Sequence, residues 1–327
     1  MLPRVPMLDP TIPQESPDEW IYNRLILEWM FEPNLGRQLP LLYQIFRLYS
    51  YWYFQITHQT HLKGGRKLFY FLSRLLAQVS SRSDLQFMLP NYEIFVDPLD
   101  ARFFQVINEL TYADSVVQVL SHLLSSGDTF IDIGANHGSF SIAASKRLGV
   151  NGLVISVEPQ PRLGHVVQKS LVANALCDFQ FYPVAVGNRE GEIELLIPRG
   201  TSGSGGIFAE HSATGQFEAV MVSLKRFEDL VNWREFPGKV LIKLDIEGSE
   251  DAFLAGAACL ITSLKPTLII EIHPGTLKAA GTTGEKLKQV LQDLGYLYYG
   301  EMTRLDRRLP LHSLNTQIQR NVVMWMS

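Results

Sequence analysis

Asp128-Thr-Phe-Ile-Asp-Ile-Gly134-Ala-Asn-His-Gly138-Ser-Phe-Ser-Ile142, followed by Gly152-Leu-Val-Ile-Ser-Val-Glu158-Pro159, is the stretch that decides the fold. The apolar run ending in Asp132 and Ile133 reads as a buried parallel strand. Gly134 and Gly138 let the chain turn sharply and bring bare backbone against a ligand. A helix begins near Ser139, and a second strand, Leu153 to Val157, ends in Glu158. A carboxylate at that strand end, twenty residues past the glycine loop, is placed to accept hydrogen bonds from a ribose diol.

Two cofactor classes share this layout. Dinucleotide sites run G-x-G-x-x-G, so that a pyrophosphate rests on the helix N-terminus. Here the glycines run Gly134-x-x-x-Gly138, and Asp132 stands where an anion would oppose a pyrophosphate. An acidic loop suits a cofactor with positive charge, such as the sulfonium and ammonium of S-adenosylmethionine. Asp132, Gly134, Asn136 and Gly138 are therefore expected to contact the methionine part, although Asp132 has the alternative of capping the loop's own amides. Val184 and Ala185, ending the third strand, are expected beside the adenine through main-chain contacts.

Outward from the loop the chain alternates regularly. Strands are expected at 128–134, 153–158, 179–186, 239–245 and 267–272, with helices at 139–148, 161–175 and 249–261 between them. A helix at 284–294 precedes strands near 296–301 and 320–326, which lack an intervening helix and so suit an antiparallel finish. Repeated strand–helix units need right-handed crossovers, which gives an α/β, Rossmann-like, mostly parallel seven-stranded sheet covered on both faces. Glu192 to Ile197 and Phe217 to Val222 alternate like paired strands around a loop at 200–206, a surface linker or a lid.

Residues 1–17 carry five prolines and read as an extended arm, and 18–90 as an N-terminal helical region ahead of a catalytic domain at 91–327. The aromatic helical segments either cap the catalytic domain or, through residues 41–79 with their rim of Lys63, Arg66, Lys67 and Arg74, touch a membrane surface peripherally. Prolines near the start leave no apolar run for a signal peptide. With Cys177 and Cys259 as the only cysteines, read as reduced core residues, this points to a cytoplasmic protein. A net charge of −4 supplies no basic excess for nucleic acid.

Asp-Ile-Gly-Ala-Asn-His-Gly, Val-Glu-Pro-Gln-Pro, the segment Lys243 to Glu250 and Ile-Ile-Glu-Ile-His-Pro occur in that order. Together they resemble the FkbM family of S-adenosylmethionine-dependent O-methyltransferases, over about residues 92–327. The resemblance implies a class I methyltransferase fold and a small-molecule acceptor, with a hydroxyl of a sugar unit or secondary metabolite as target. The chain departs from the family pattern at Tyr112-Ala113-Asp114, where the family has Tyr-Glu, and at Ser223-Leu224-Lys225, where it has Thr-Leu-Asp.

Methyl transfer to a hydroxyl needs a base that takes the proton as oxygen attacks. His273 is the first candidate because its ordinary pKa is near neutral, with Glu271 and Asp245 as rivals and His137 as a further one. Lys243, Asp245 and Glu247 share one strand face by alternation, either as a substrate-facing group or as a structural ion-pair cluster, and Glu250 is expected to cap the next helix. No metal ligand set is assigned, although Asp245 and Glu271 supply part of one, so a metal-dependent enzyme is the nearest rival. A non-catalytic adaptor with membrane- or partner-binding N-terminal helices is the alternative outside enzymes.

Overall fold

In the computed structural model the described residues are 84–89, 91–100, 102–111, 116–198 and 217–327, with positions 71, 74, 75 and 78. The expected arm at 1–17, the aromatic segments between 18 and 79 apart from those four positions, Tyr112 to Asp114 and the loop at 200–206 lie outside them.

The chain enters through a hairpin, β1 (Leu85–Met88) and β2 (Glu93–Val96), then two helices, α1 (Phe103–Thr111) and α2 (Val116–Leu123). The glycine-loop unit follows: β3 (Thr129–Ile133), α3 (Ser139–Leu148) and β4 (Leu153–Val157). After it come α4 (Pro161–Asn174), β5 (Asp178–Tyr182), β6 (Ala185–Val186), β7 (Gly191–Pro198) and β8 (Phe217–Lys225). The second half holds α5 (Phe227–Leu230), β9 (Val240–Leu244), α6 (Glu250–Gly256), α7 (Ala258–Leu264) and β10 (Thr267–Ile272). It closes with α8 (Pro274–Ala279), α9 (Gly284–Asp293), β11 (Tyr298–Glu301), β12 (Leu309–Pro310) and β13 (Arg320–Trp325).

The main sheet runs β12-β11-β13-β10-β9-β3-β4-β5. The five strands from β10 to β5 are parallel, and β13 pairs antiparallel with both β10 and β11. It has eight strands rather than the seven expected. The extra one, β12, is two residues long and ends in a proline, too short to show any periodicity in sequence. Chain order reverses between β3 and β9, so the crevice beyond their carboxyl ends is the natural ligand site of an open α/β sheet.

Alternate residues of each central strand feed two different cores. Phe130, Val154, Leu241 and Ile269 pack with α2, α3 and the hairpin, while Ile131, Ile155, Ile242 and Ile270 pack with the helices on the other face. This double burial is why the strands read as continuous apolar runs.

Three local expectations are corrected. Residues 179–186 are not one strand: Pro183 has no N–H for the ladder, and Ala185–Val186 pair parallel with β8 in a separate three-stranded sheet. The helix expected at 249–261 is two helices with a break at Ala257. Cys177 is half-buried against the first core, but Cys259 is exposed; α7 turns Leu260 and Ile261 inward instead. Both cysteines are free thiols.

β1 and β2 form a hairpin across positions 90 and 91, where the sequence placed the domain boundary. It is docked on α4: Glu93 N–H donates to Asn174 Oδ1 at 2.9 Å and Phe95 N–H to Ser170 Oγ at 2.9 Å. Phe87 is fully buried and stacks on Phe103 with centroids 5.9 Å apart. Phe87→Ala is therefore expected to cost about 3–5 kcal/mol, the usual loss for a buried phenylalanine. Denaturant unfolding measures it; a loss below about 1 kcal/mol would show the hairpin to be outside the cooperative unit.

Candidate active site

β3 ends in Asp132 and Ile133, and the next five residues turn through left-handed backbone at Gly134 (φ 80°), Asn136 (φ 53°) and Gly138 (φ 82°). A Cβ at Gly134 would lie 2.0 Å from the carbonyl oxygen of Asp245. The glycine is thus required by the approach of the turn after β9 as well as by its positive φ.

Asp132 is fully buried. Its Oδ2 accepts from Ser141 N–H at 3.1 Å and from Ser141 Oγ at 2.7 Å, and its Oδ1 faces Lys243 Nζ at 3.5 Å. These bonds tie it to the first turn of α3 through Ser141 rather than to the loop's own amides. Lys243 also pairs with Asp245 at 3.4 Å and donates to the Gly134 carbonyl at 3.1 Å. Burial alone would lower its pKa, but Asp245, Asp132 and Glu109 outweigh burial and raise it. The lysine stays charged.

Glu158 is 97 % shielded from solvent, with 3 % exposure at the wall of a small pocket. Its Oε2 accepts from Asn136 N–H at 2.8 Å and its Oε1 from Gln160 N–H at 2.9 Å. Each carboxylate oxygen has two acceptor sites, so one on each is left after these bonds. Burial pushes the pKa up to about 7, against the pull of the two amides and Lys243. Val157, Val184 and Ala185 add an apolar wall to the same pocket. Glu158, Gly134, Asn136 and Ala185 are thus brought together as expected, while Gly138 packs its α-carbon toward Val167.

A larger cavity of about 390 Å³ adjoins it, lined by Glu109, Lys243, Asp245, Glu247, Glu271 and His273 among others. The alternation expected for 243, 245 and 247 does not persist. β9 ends at Leu244, and Glu247 takes φ 54°, which the following Gly248 (φ 104°) helps to accommodate. The turn sets one oxygen each of Asp245, Glu247 and Glu271 within 4.8 Å of one another, the spacing of a cation site. Burial raises the pKa of Glu271, and the charges of Asp245 and Glu247 raise it further. Gln319 Nε2 donates to Glu271 Oε1 at 2.9 Å. Glu250 caps the turn rather than its own helix, accepting from Ile246 N–H and Gly248 N–H at 3.2 Å each.

His273 is the N-cap of α8, and its Nδ1 accepts from Thr276 N–H at 3.2 Å. With Nδ1 accepting, the neutral ring carries its proton on Nε2 and is a donor there. His137 is buried: Nδ1 meets Asn136 Oδ1 at 2.8 Å, and Nε2 lies 4.0 Å from Asp100 Oδ2. Burial lowers its pKa to about 4, too low for a base working at neutral pH.

The sequence reading missed α1. Gln105, Val106 and Glu109 border the larger cavity from it, and Arg102 from just before it. Their spacing of three, one and three residues is the signal that was available, a helix face one stripe wide.

None of the curated proteins matches the chain in sequence. Among solved structures, it is similar to methyltransferase FkbM from Methylobacillus flagellatus KT, at 17 % identity and a TM-score of 0.40, covering 69 % of this chain and 54 % of that one. The chain therefore spans about half the length of that protein. It is also similar to precorrin-6y C5,15-methyltransferase from Geobacter metallireducens GS-15, with 16 % identity, a TM-score of 0.34, and 67 % and 91 % of the two chains covered. TYW2 from M. jannaschii, solved in complex with AdoMet, shows 12 % identity and a TM-score of 0.38, covering 74 % and 84 %. A family model described as the methyltransferase FkbM domain matches residues 132–298, just over half of the chain, running from the loop acid through the acid cluster to the first antiparallel strand. The chain belongs to the FkbM family of methyltransferases.

Proposed function

We propose that this methyltransferase acts on a hydroxyl group of a sugar unit or a similarly hydroxylated small molecule, as a cytoplasmic enzyme. The observation that carries the cofactor side is the Glu158 carboxylate, fixed by two backbone amides beside the Val184–Ala185 wall. That arrangement fits a nucleoside: the remaining acceptor sites suit a ribose diol, and the apolar wall suits a purine. S-adenosylmethionine supplies an electrophilic methyl group. Glu158 and Ala185 would hold its adenosine end, Gly134 and Asn136, which border both pockets, would meet its methionine part, and the larger cavity takes the acceptor.

On the acceptor side, Glu271 is the base. It lines the larger cavity, its pKa is raised, and Gln319 holds one of its oxygens. A carboxylate of raised pKa is a stronger proton acceptor than an ordinary one. His273, with Nε2–H outward from its cap, donates a hydrogen bond that orients the acceptor, and Asp245 sits between the two chambers.

A second reading is favoured by one observation, the convergence of Asp245, Glu247 and Glu271. In it the three carboxylates hold a divalent cation that lowers the pKa of the acceptor hydroxyl. Chelator separates the two readings: activity unchanged by EDTA supports a metal-free Glu271 base, while activity lost to EDTA and restored by Mg²⁺ supports the cation.

Calorimetry with S-adenosylhomocysteine and NAD tests the cofactor side. The first is expected to bind and the second not, and Glu158→Ala is expected to weaken binding by about 1.5–3 kcal/mol. Ribose hydroxyls donate to the ionised carboxylate, so binding lowers the pKa of Glu158 and releases a proton. Affinity is thus expected to rise with pH through about 7 and level off above it, with a flat profile in Glu158→Gln. The same affinity in Glu158→Ala as in wild type would remove the ribose assignment.

The acceptor side is tested by incubating protein and isotopically labelled cofactor with a panel of monosaccharides, glycosides and polyols, followed by mass spectrometry. With any acceptor so found, Glu271→Gln is expected to lower kcat by roughly 10²–10⁴-fold at near wild-type cofactor affinity. If His273→Ala loses as much and Glu271→Gln does not, the histidine is the base.

A further inference from the structure

One wall of the larger cavity is a single face of α1 and the residue before it. Arg102, Gln105, Val106 and Glu109 line it at helical spacing, while Phe103, Ile107 and Leu110 on the neighbouring face are buried in the core. The helix is therefore pinned by packing and presents two charged side chains about two turns apart.

Two arginines lie near the glycine loop, and they are treated differently. Arg162 is held by Asp97 at 3.8 Å and Asp100 at 3.4 Å. Arg102 borders both the ribose pocket and the larger cavity, and among the described residues its guanidinium has no hydrogen bond and no ion pair. It is half-buried. A guanidinium withdrawn from water at a cavity wall, in no ion pair with a described protein acid, is complementary to a carboxylate on a ligand.

Glu109, on the same face, is built into position. Ser139 Oγ donates to its Oε2, and Gln105 Nε2 donates to its Oε1 at 2.9 Å. Burial raises its pKa, and the bonds from Ser139 and Gln105 together with the charges of Lys243 and Arg102 oppose the rise. Each oxygen keeps a further acceptor site that a cation can use.

We propose that Arg102 and Glu109 form the subsite for the amino-acid end of the cofactor, Arg102 taking its α-carboxylate and Glu109 its α-ammonium. This rests on the S-adenosylmethionine reading of the neighbouring pocket. It also gives the methionine part a charged partner set outside the glycine loop, whose own acid, Asp132, is enclosed by Ser141 and Lys243. The same guanidinium would suit a carboxylate or phosphate on the acceptor, and the experiment separates these sources.

S-adenosylhomocysteine and 5′-methylthioadenosine share the nucleoside and thioether, and only the first has the amino-acid end. Calorimetry on wild type is expected to show tighter binding of S-adenosylhomocysteine. Arg102→Met is expected to lose about 10- to 100-fold of that affinity and none for methylthioadenosine. Arg102→Lys is expected to recover part of it, and Glu109→Gln to show a smaller loss, again confined to S-adenosylhomocysteine. Unchanged methylthioadenosine binding certifies that each variant is folded. Wild-type affinity for S-adenosylhomocysteine in Arg102→Met would overturn the subsite and hand the guanidinium to an anionic acceptor. Equal losses for both ligands would also overturn it, by showing that Arg102 supports the fold. A wild type that binds neither ligand would instead remove the cofactor reading on which the subsite stands.

Discussion

A single buried cation ties the site together. Lys243 on β9 stands opposite Asp132 on β3 in the parallel register, at the point where chain order reverses. Its ammonium reaches Asp132, Asp245 and the Gly134 carbonyl, and it lies over the Phe140 ring with 5.2 Å to the centroid. Withdrawing such a charge from water costs several kcal/mol, and the cost is met only while all these partners stay in place. Removing one of them leaves an uncompensated charge inside the sheet. The arrangement therefore fixes the relative position of the glycine loop and the turn after β9, the two segments between which a ligand must fit.

From this pair the order spreads in both directions. Asp132 holds Ser141 at the start of α3, and Ser156 on β4 donates to Ser141 Oγ at 2.7 Å. Strand, helix and next strand are thereby linked through hydroxyls that are all buried. The loop is in turn held from its far side by Glu158, whose Oε2 receives the Asn136 amide. The carboxylate read as a ligand group is thus also a loop anchor. Held in this way the acid would need no reordering to receive the diol proposed for it, which is the physical advantage of a site built before its ligand.

On the opposite side of Lys243 the chain gathers negative charge. Asp245, Glu247 and Glu271 come from two strand ends and one tight turn, and the charges of Asp245 and Glu247 raise the cost of ionising Glu271. Burial adds to that cost at Glu271. A cavity that has one wall of this kind, a facing helix with Arg102 and Glu109, and amides from Gln319 and Asn321 is mostly polar. This lining fits the hydroxylated acceptor proposed above better than an apolar one, whose surface would leave those groups desolvated and unpaired.

Much of this was legible in the linear chain. The period of the apolar residues, the two glycines, and acids at the ends of strands dictated a parallel α/β sheet, the loop and a carboxylate at the end of β4, because those features act within a few residues of themselves. Paired strands around the insertion and the antiparallel finish were readable for the same reason. What tertiary structure alone decided is where separate segments meet. Gly134 must be glycine because of a carbonyl at Asp245, more than a hundred residues away. Glu247 leaves the strand alternation and joins Glu271 because β9 stops at Leu244. His273 spends its Nδ1 on a cap, and α1 becomes a cavity wall only once its other face is packed into the core. Local periodicity fixes which face a residue takes, whereas proton positions, pKa shifts and the pairing of charges depend on distances that only the folded chain sets.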